Sequence, residues 1–201
     1  MVRSILILML ISGAVVLLIF ILLNILRKWY WDAIQLNLLD LVDDIGGQVI
    51  RRGFFSRPVY HGRYRDADLT INFSSEKNKK GRSSLIDISL TTNLNEAVTI
   101  SSYQWLGEIE EKSIGTYQPL LGSGQPRYGI RLADSSRFRT KLKGKDFIAS
   151  IDELHPFRFI FISPRGILFE KEAENLPQNT RHPRLREHLD GILKLIAGLQ
   201  Q

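Results

Sequence analysis

Residues 24–45 read NILRKWYWDAIQLNLLDLVDDI, and two hydrophobic patterns meet inside them. Upstream, the run from Ile5 to Leu26 is interrupted only by Ser12, Gly13 and Asn24. Its 22 residues would span roughly 33 Å as a helix at about 1.5 Å each, against a hydrocarbon core of about 30 Å. Downstream, Ile34, Leu38, Leu41, Val42 and Ile45 fall within a roughly 100° arc at helical spacing, with Asp40, Asp43 and Asp44 outside it. Gly46-Gly47 follows and stops the helix, because glycine readily takes the left-handed cap conformation. A transmembrane helix therefore continues into an amphipathic stem that packs on whatever domain follows.

At the junction stand Arg27, Lys28, Trp29, Tyr30 and Trp31. Indole and phenol rings are apolar bodies with a polar edge and suit the headgroup layer. The two bases can lay their stems along lipid and place their charges among phosphates. One or two of the aromatics could also pack onto the domain. A cleaved signal would have a shorter apolar core, about 7–15 residues, and a small-x-small site. Leu-Arg-Lys-Trp-Tyr-Trp offers no such site, so the anchor, residues 1–28, is expected to stay. Arg27 and Lys28 outnumber the lone Arg3, which favours the cell membrane with the soluble domain in the cytoplasm.

The chain is formally +6, but Arg3, Arg27 and Lys28 flank the apolar run. From Trp29 onward 24 bases (27 less these three) face 21 acids, a balance of +3. Half of the basicity thus reports topology, which weighs against a nucleic-acid partner. The lipid bilayer is the partner this region implies, with a protein partner or larger membrane assembly as a further expectation.

Residues 29–201 read as one α+β domain: stem helix 29–45, a strand meander over 48–102, and a strand-helix-hairpin-helix section over 126–201. Leu69, Ile71 and Phe73 alternate with polar residues, and so do Ile86, Ile88 and Leu90. Weaker strand signals lie near 48–55, 58–64 and 97–102. The connections RDAD (65–68) and SSEKNKKGRS (74–83) favour an antiparallel sheet, with Lys77, Lys79, Lys80 and Arg82 at a solvated tip. After GTYQPLLGSGQP (115–126), Tyr128, Ile130 and Leu132 alternate as a strand, and a hairpin is expected across SPRG (163–166). Leu185, Leu189, Ile192, Leu193, Ile196 and Leu199 share one face of a last helix, with Pro183 in an early position. The expected architecture is a mainly antiparallel sheet with amphipathic helices packed on it.

The stretches GGQVIRRG, RYGIRLADSSRF, FRFIFISPRGILFE and HLDGILKLIAGL, behind an anchor and stem, resemble the layout of uncharacterised prokaryotic single-pass membrane proteins, a family of unknown function. The resemblance covers most of residues 30–200. It implies an anchored α+β domain and no particular activity.

Chemistry-bearing motifs are sparse. GSG at 122–124 is followed by Arg127 where a dinucleotide loop needs its third glycine. With no cysteine, thiol nucleophiles, thiolate zinc sites and iron–sulfur clusters are excluded. His182 and His188 stand about 240° apart on a helix rather than on one metal-binding face. No cofactor and no catalytic residue is assigned, although Asp152, Glu153 and His155 could form an acid–base group. Asp43-Asp44 sits against the helix dipole and could meet Arg51 or Arg52; plain solvation competes with that reading. The sharpest binding candidate is RFRTKLKGK (137–145), where Arg137, Arg139, Lys141, Lys143 and Lys145 occupy alternate positions. As a strand they would form one anion-attracting stripe, and as a helix two solvated groups. Three function classes stay open: a non-catalytic membrane-anchored interaction or accessory domain, a basic module for anionic lipid head groups or nucleic acid, and a membrane-proximal enzyme.

Overall fold

A computed structural model describes residues 2–78, 81–94, 97–107, 117–120, 127–132 and 145–200. Helix α1 runs unbroken from Val2 to Ile45, so the apolar run and the stem are one rod. From Ile7 on it is long and apolar enough to cross a membrane, and its most apolar window has no residue buried by the rest of the chain. The second half behaves oppositely. Ile34, Leu38 and Leu41 are fully buried, with Val42 and Ile45 packed beside them. Gly46 and Gly47 both take positive φ and end the helix, the Gly46 N–H still donating to Val42 O at 2.8 Å. The Tyr60 hydroxyl then donates to Gly46 O at 2.6 Å, tying the helix end to the sheet.

Among the described residues nine strands form one antiparallel sheet: β1 (Gln48–Ile50), β2 (Val59–Tyr64), β3 (Ala67–Asn78), β4 (Gly81–Leu90), β5 (Val98–Ser102), β6 (Gln118–Pro119), β7 (Tyr128–Leu132), β8 (Phe159–Ser163) and β9 (Gly166–Glu172). Among the described residues the helices after α1 are α2 (Tyr103–Leu106), α3 (Lys145–Glu153), α4 (Leu176–Asn179) and α5 (His182–Gln200). The α+β class with an amphipathic stem and an antiparallel sheet is the observed one.

Strand order is β1-β2-β3-β4-β9-β8-β5-β7-β6. The first four strands meander as expected, but β5 does not add to β4. The β8–β9 hairpin inserts between them, β9 pairing with β4 and β8 with β5. A second difference is the β3–β4 hairpin. Its strands run through the polar segment read as a connection, staying paired from Leu69↔Leu90 to Asn78↔Gly81. Ladder hydrogen bonds do not require apolar side chains, so the arm extends past the alternating pattern. At the β2–β3 turn Arg65 and Asp66 both take positive φ, as a tight hairpin demands.

The inward parity of the sheet and the faces of α1, α3 and α5 share one core. Tyr60, Ile71, Ile88, Ile100, Ile160, Ile162 and Phe169 meet Leu38, Ile151, Leu189 and Ile192 there, each fully buried. Each such side chain contributes roughly 1.5–3 kcal/mol by leaving water. On the opposite parity Thr70, Ser89, Leu168 and Phe161 are half-buried or exposed, whereas Leu85 and Ser101 are buried. The last helix buries Leu195 fully and leaves Leu193 half-buried, so its inward face is rotated slightly from the expected one.

Candidate functional site

A cleft of about 660 Å³ lies among the described residues at one end of the sheet. Its walls come from the β3–β4 arm, α2, the approach to β8, the end of β9, α4 and the start of α5. Four cations, Arg82, Arg158, Lys171 and Arg184, and two carboxylates, Glu172 and Glu174, line it. The cleft backs onto the stem helix. Asn37 Nδ2 donates to Pro177 O at 2.7 Å and to Thr180 Oγ1 at 2.9 Å, fixing α4 against α1.

Arg158 is the hub of one wall. Its side chain is only 4% exposed. Nη1 pairs with Glu76 at 2.6 Å and with Glu170 at 3.4 Å, and the guanidinium lies 5.8 Å from the Trp105 ring centre. The long β3–β4 arm is what brings Glu76 there. Burial lifts the Glu170 carboxyl to about 7, and the Asp87 carboxylate opposite it on β4 adds to the rise, outweighing Arg158. Asp87 is itself raised, again mainly by burial. Nε of Arg158 has no hydrogen-bond partner among the described residues.

The other wall holds a buried cation of a different kind. Lys171 follows Ile167 and Phe169 on the inward parity of β9, and its Nζ lies 2.9 Å from His188 Nε2 on α5. An ammonium has no acceptor, so Nε2 must accept and the imidazole carries its proton on Nδ1. Burial pushes His188 down to about 4, and the charges of Lys171 and Arg184 push the same way. Burial also lowers Lys171. Among the described residues no carboxylate forms an ion pair with Lys171. The arrangement is a desolvated ammonium held by a neutral base at the edge of a cleft, suited to meeting an anionic group.

The residues singled out from sequence lie elsewhere. Arg137, Arg139, Lys141 and Lys143 lie outside the described residues, and Lys145 opens α3. The GSG segment also lies outside them. Of the junction group, Trp29 is 64% exposed, whereas Trp31 turns into the core against Phe73 with Arg57 over its ring. Tyr30 is partly exposed and sits against Leu176 and Ser84. Lys28 pairs with Asp32 at 2.6 Å, and Arg27 is exposed.

Asp152, Glu153 and His155 do not converge. The Tyr128 hydroxyl donates to Asp152 at 2.9 Å, Glu153 pairs with Lys194, and the His155 ring lies against Tyr128 and Phe157. Asp44 meets neither Arg51 nor Arg52; its partners are Arg186 and His182 on α5, because the stem crosses the end of that helix. Arg51 instead pairs with Asp32. No group of three metal-binding side chains occurs among the described residues.

Arg158 and Lys171 escaped the sequence reading. Lys171 carried a signal: in FEKE (169–172) it holds the same strand parity as Ile167 and Phe169. Arg158 carried none, because Glu76 and Glu170 reach it only through the fold.

No protein-family model matches the chain, and no curated protein matches it. Among solved structures, the crystal structure of the mycobacterial trehalose monomycolate transport factor A, TtfA, is similar with a TM-score of 0.41 and 14% identity, over 80% of this chain and 83% of that one. A likeness at that level carries no argument about function.

Proposed function

We propose that the chain is a membrane-anchored, non-catalytic interaction domain, an accessory part of a membrane assembly held at a fixed distance from the bilayer. One observation carries this reading: a single helix is wholly exposed and apolar in its first half and buried in the domain core in its second. A flexible tether would let the domain wander. A continuous helix locked by Leu38 and Leu41, and by the Asp44–Arg186 pair, holds it at one distance from the bilayer. The test is intact mass of protein extracted from membranes. The expected mass includes Met1 or Val2, and a terminus near residue 28–32 overturns the reading.

The domain lies on the cytoplasmic side in this proposal, since Arg27 and Lys28 follow the apolar run. The chain has no cysteine, so Arg165→Cys in the exposed β8–β9 turn gives a clean probe. An impermeant thiol reagent should leave it unlabelled in intact cells and label it after permeabilisation. Labelling before permeabilisation reverses the assignment.

A second reading, a module that takes an anionic group, is favoured by the cleft itself, where Lys171 and three arginines face two carboxylates. Inorganic phosphate or a phosphorylated headgroup analogue should then protect the protein against thermal unfolding. Lys171→Met should abolish that protection. Equal protection of both proteins excludes the cleft as the site.

A further inference from the structure

The loop between β1 and β2 is RRGFFSRP (51–58), and it presents two large aromatic rings to the outside: Phe54 is 58% exposed and Phe55 42%. A floppy surface loop could turn such rings inward. This one is held open. The Arg51 side chain, itself only 11% exposed, reaches Asp32 at 2.5 Å and Gln35 at 3.0 Å on α1. The same guanidinium collects Phe54 O at 2.6 Å and Ser56 O at 3.1 Å, so the loop is wrapped around it. At the other end Arg57 donates to Phe73 O at 2.7 Å and to Ser75 at 2.8 Å. Both ends are fixed, and the two rings stand at the apex, edge to face at 5.0 Å.

The place of the apex gives its exposure a meaning. Lys28 Nζ lies 5.1 Å from the centre of the Phe54 ring. Lys28 is the second residue after the apolar run, and Trp29, exposed, is the next. The rings therefore sit close to where α1 would leave the hydrocarbon, beside Lys28 and Arg52. Apolar rings flanked by bases are what a surface that dips into a headgroup layer requires, the rings for the acyl boundary and the bases for phosphates.

We propose that Phe54 and Phe55 form a second membrane contact, a fingertip that enters the bilayer interface beside α1. One helix alone leaves the domain free to rotate about its axis. A second contact stops that rotation and sets which side of the domain faces the bilayer. The occupant is lipid, because Lys28, two residues past the apolar run of α1, lies over the Phe54 ring and ties the fingertip to the end of that run. This inference rests on the anchor reading above.

The experiment uses the full chain in phosphatidylcholine vesicles doped with headgroup-nitroxide lipid. An environment-sensitive fluorophore is placed on one cysteine at a time: Arg52→Cys beside the fingertip, Leu22→Cys within the apolar run, and Arg63→Cys on β2. Arg63 is exposed and lies near the far end of the stem, roughly 24 Å along α1 from Lys28 by helical rise. The Arg52 probe should shift to the blue and lose emission to the nitroxide, while the Arg63 probe should keep both. Adding Phe54→Ser and Phe55→Ser should restore the Arg52 emission. Quenching at Leu22 with an Arg52 signal like that of Arg63 overturns the fingertip and leaves the anchor standing. A blue-shifted but unquenched Arg52 probe also overturns it, since protein and not lipid would then cover the rings. Absence of quenching at Leu22 removes the anchor and the fingertip together.

Discussion

Glu170 and His188 sit on opposite faces of the sheet and titrate in overlapping ranges with opposite consequences. His188 is depressed to about 4 in the fold, so the unfolded chain binds the proton more tightly. Its contribution is present above about 6.5 and is lost as pH falls from there to about 4. Glu170 is raised to about 7, so the folded protein binds the proton more tightly. Its contribution is present below about 4.5 and is lost as pH rises to about 7. The two slopes oppose each other over most of that window. Glu170→Gln should therefore gain stability relative to the parent as pH climbs from about 4.5 to 7, by about 3 kcal/mol at most. His188→Leu should gain relative to the parent as pH falls through 6.5 to 4. Denaturant unfolding at a series of pH values measures both, and parallel profiles for parent and variants would show that neither group is buried as described. Replacing Lys171 by Met should cost little or even stabilise, because a buried charge without an ionic partner is expensive.

Helix α5 shows why an element can be foreseen while its inward face is not fully placed. Leu185, Leu189, Ile192 and Leu199 are buried as their spacing requires, yet Leu195 is fully buried and Leu193 only half. Positions 185, 188, 192, 195 and 199 form one column, so His188 lies inside the stripe as well. Leu195→Ala should cost about 2–5 kcal/mol of stability, whereas Ala197→Ser on the outer face should stay within about 0.5 kcal/mol. The β8–β9 hairpin supplies the matching test in the sheet. Gly166 has φ +146, and a Cβ there would lie 2.3 Å from Leu90 O. The close approach exists because β9 inserts beside β4, pairing Ile167 with Leu90. Gly166→Ala should therefore lower the thermal midpoint clearly, through strain and through the lost strand pairing. An unchanged midpoint would argue against the inserted hairpin.

In the whole molecule, the aromatic triplet straddles the exposed and the buried parts of α1. Trp29 faces outward, and Trp31 packs on Phe73 beneath Arg57. A chain beginning at Asp32 loses that contact and the Lys28–Asp32 pair. A chain beginning at Lys28 should fold and exceed the Asp32 chain by about 3 kcal/mol, the usual cost of removing a buried large aromatic. Equal denaturant midpoints would show that Trp31 is not part of the core.

Periodicity and composition by themselves determined the long apolar helix, its passage into a one-sided stem, the antiparallel meander of β1 to β4 and the amphipathic last helix. These follow from side chains a few residues apart, and local spacing reports which of them must leave water together. Tertiary structure alone decided that β9 and β8 separate β4 from β5, since any exposed strand edge could have accepted either partner. It likewise decided that Asp44 meets Arg186, that Arg51 meets Asp32, and that Arg158 gathers Glu76 and Glu170. Charge pairing carries no periodicity, so its partners become definite only when the packing of the core brings distant residues together.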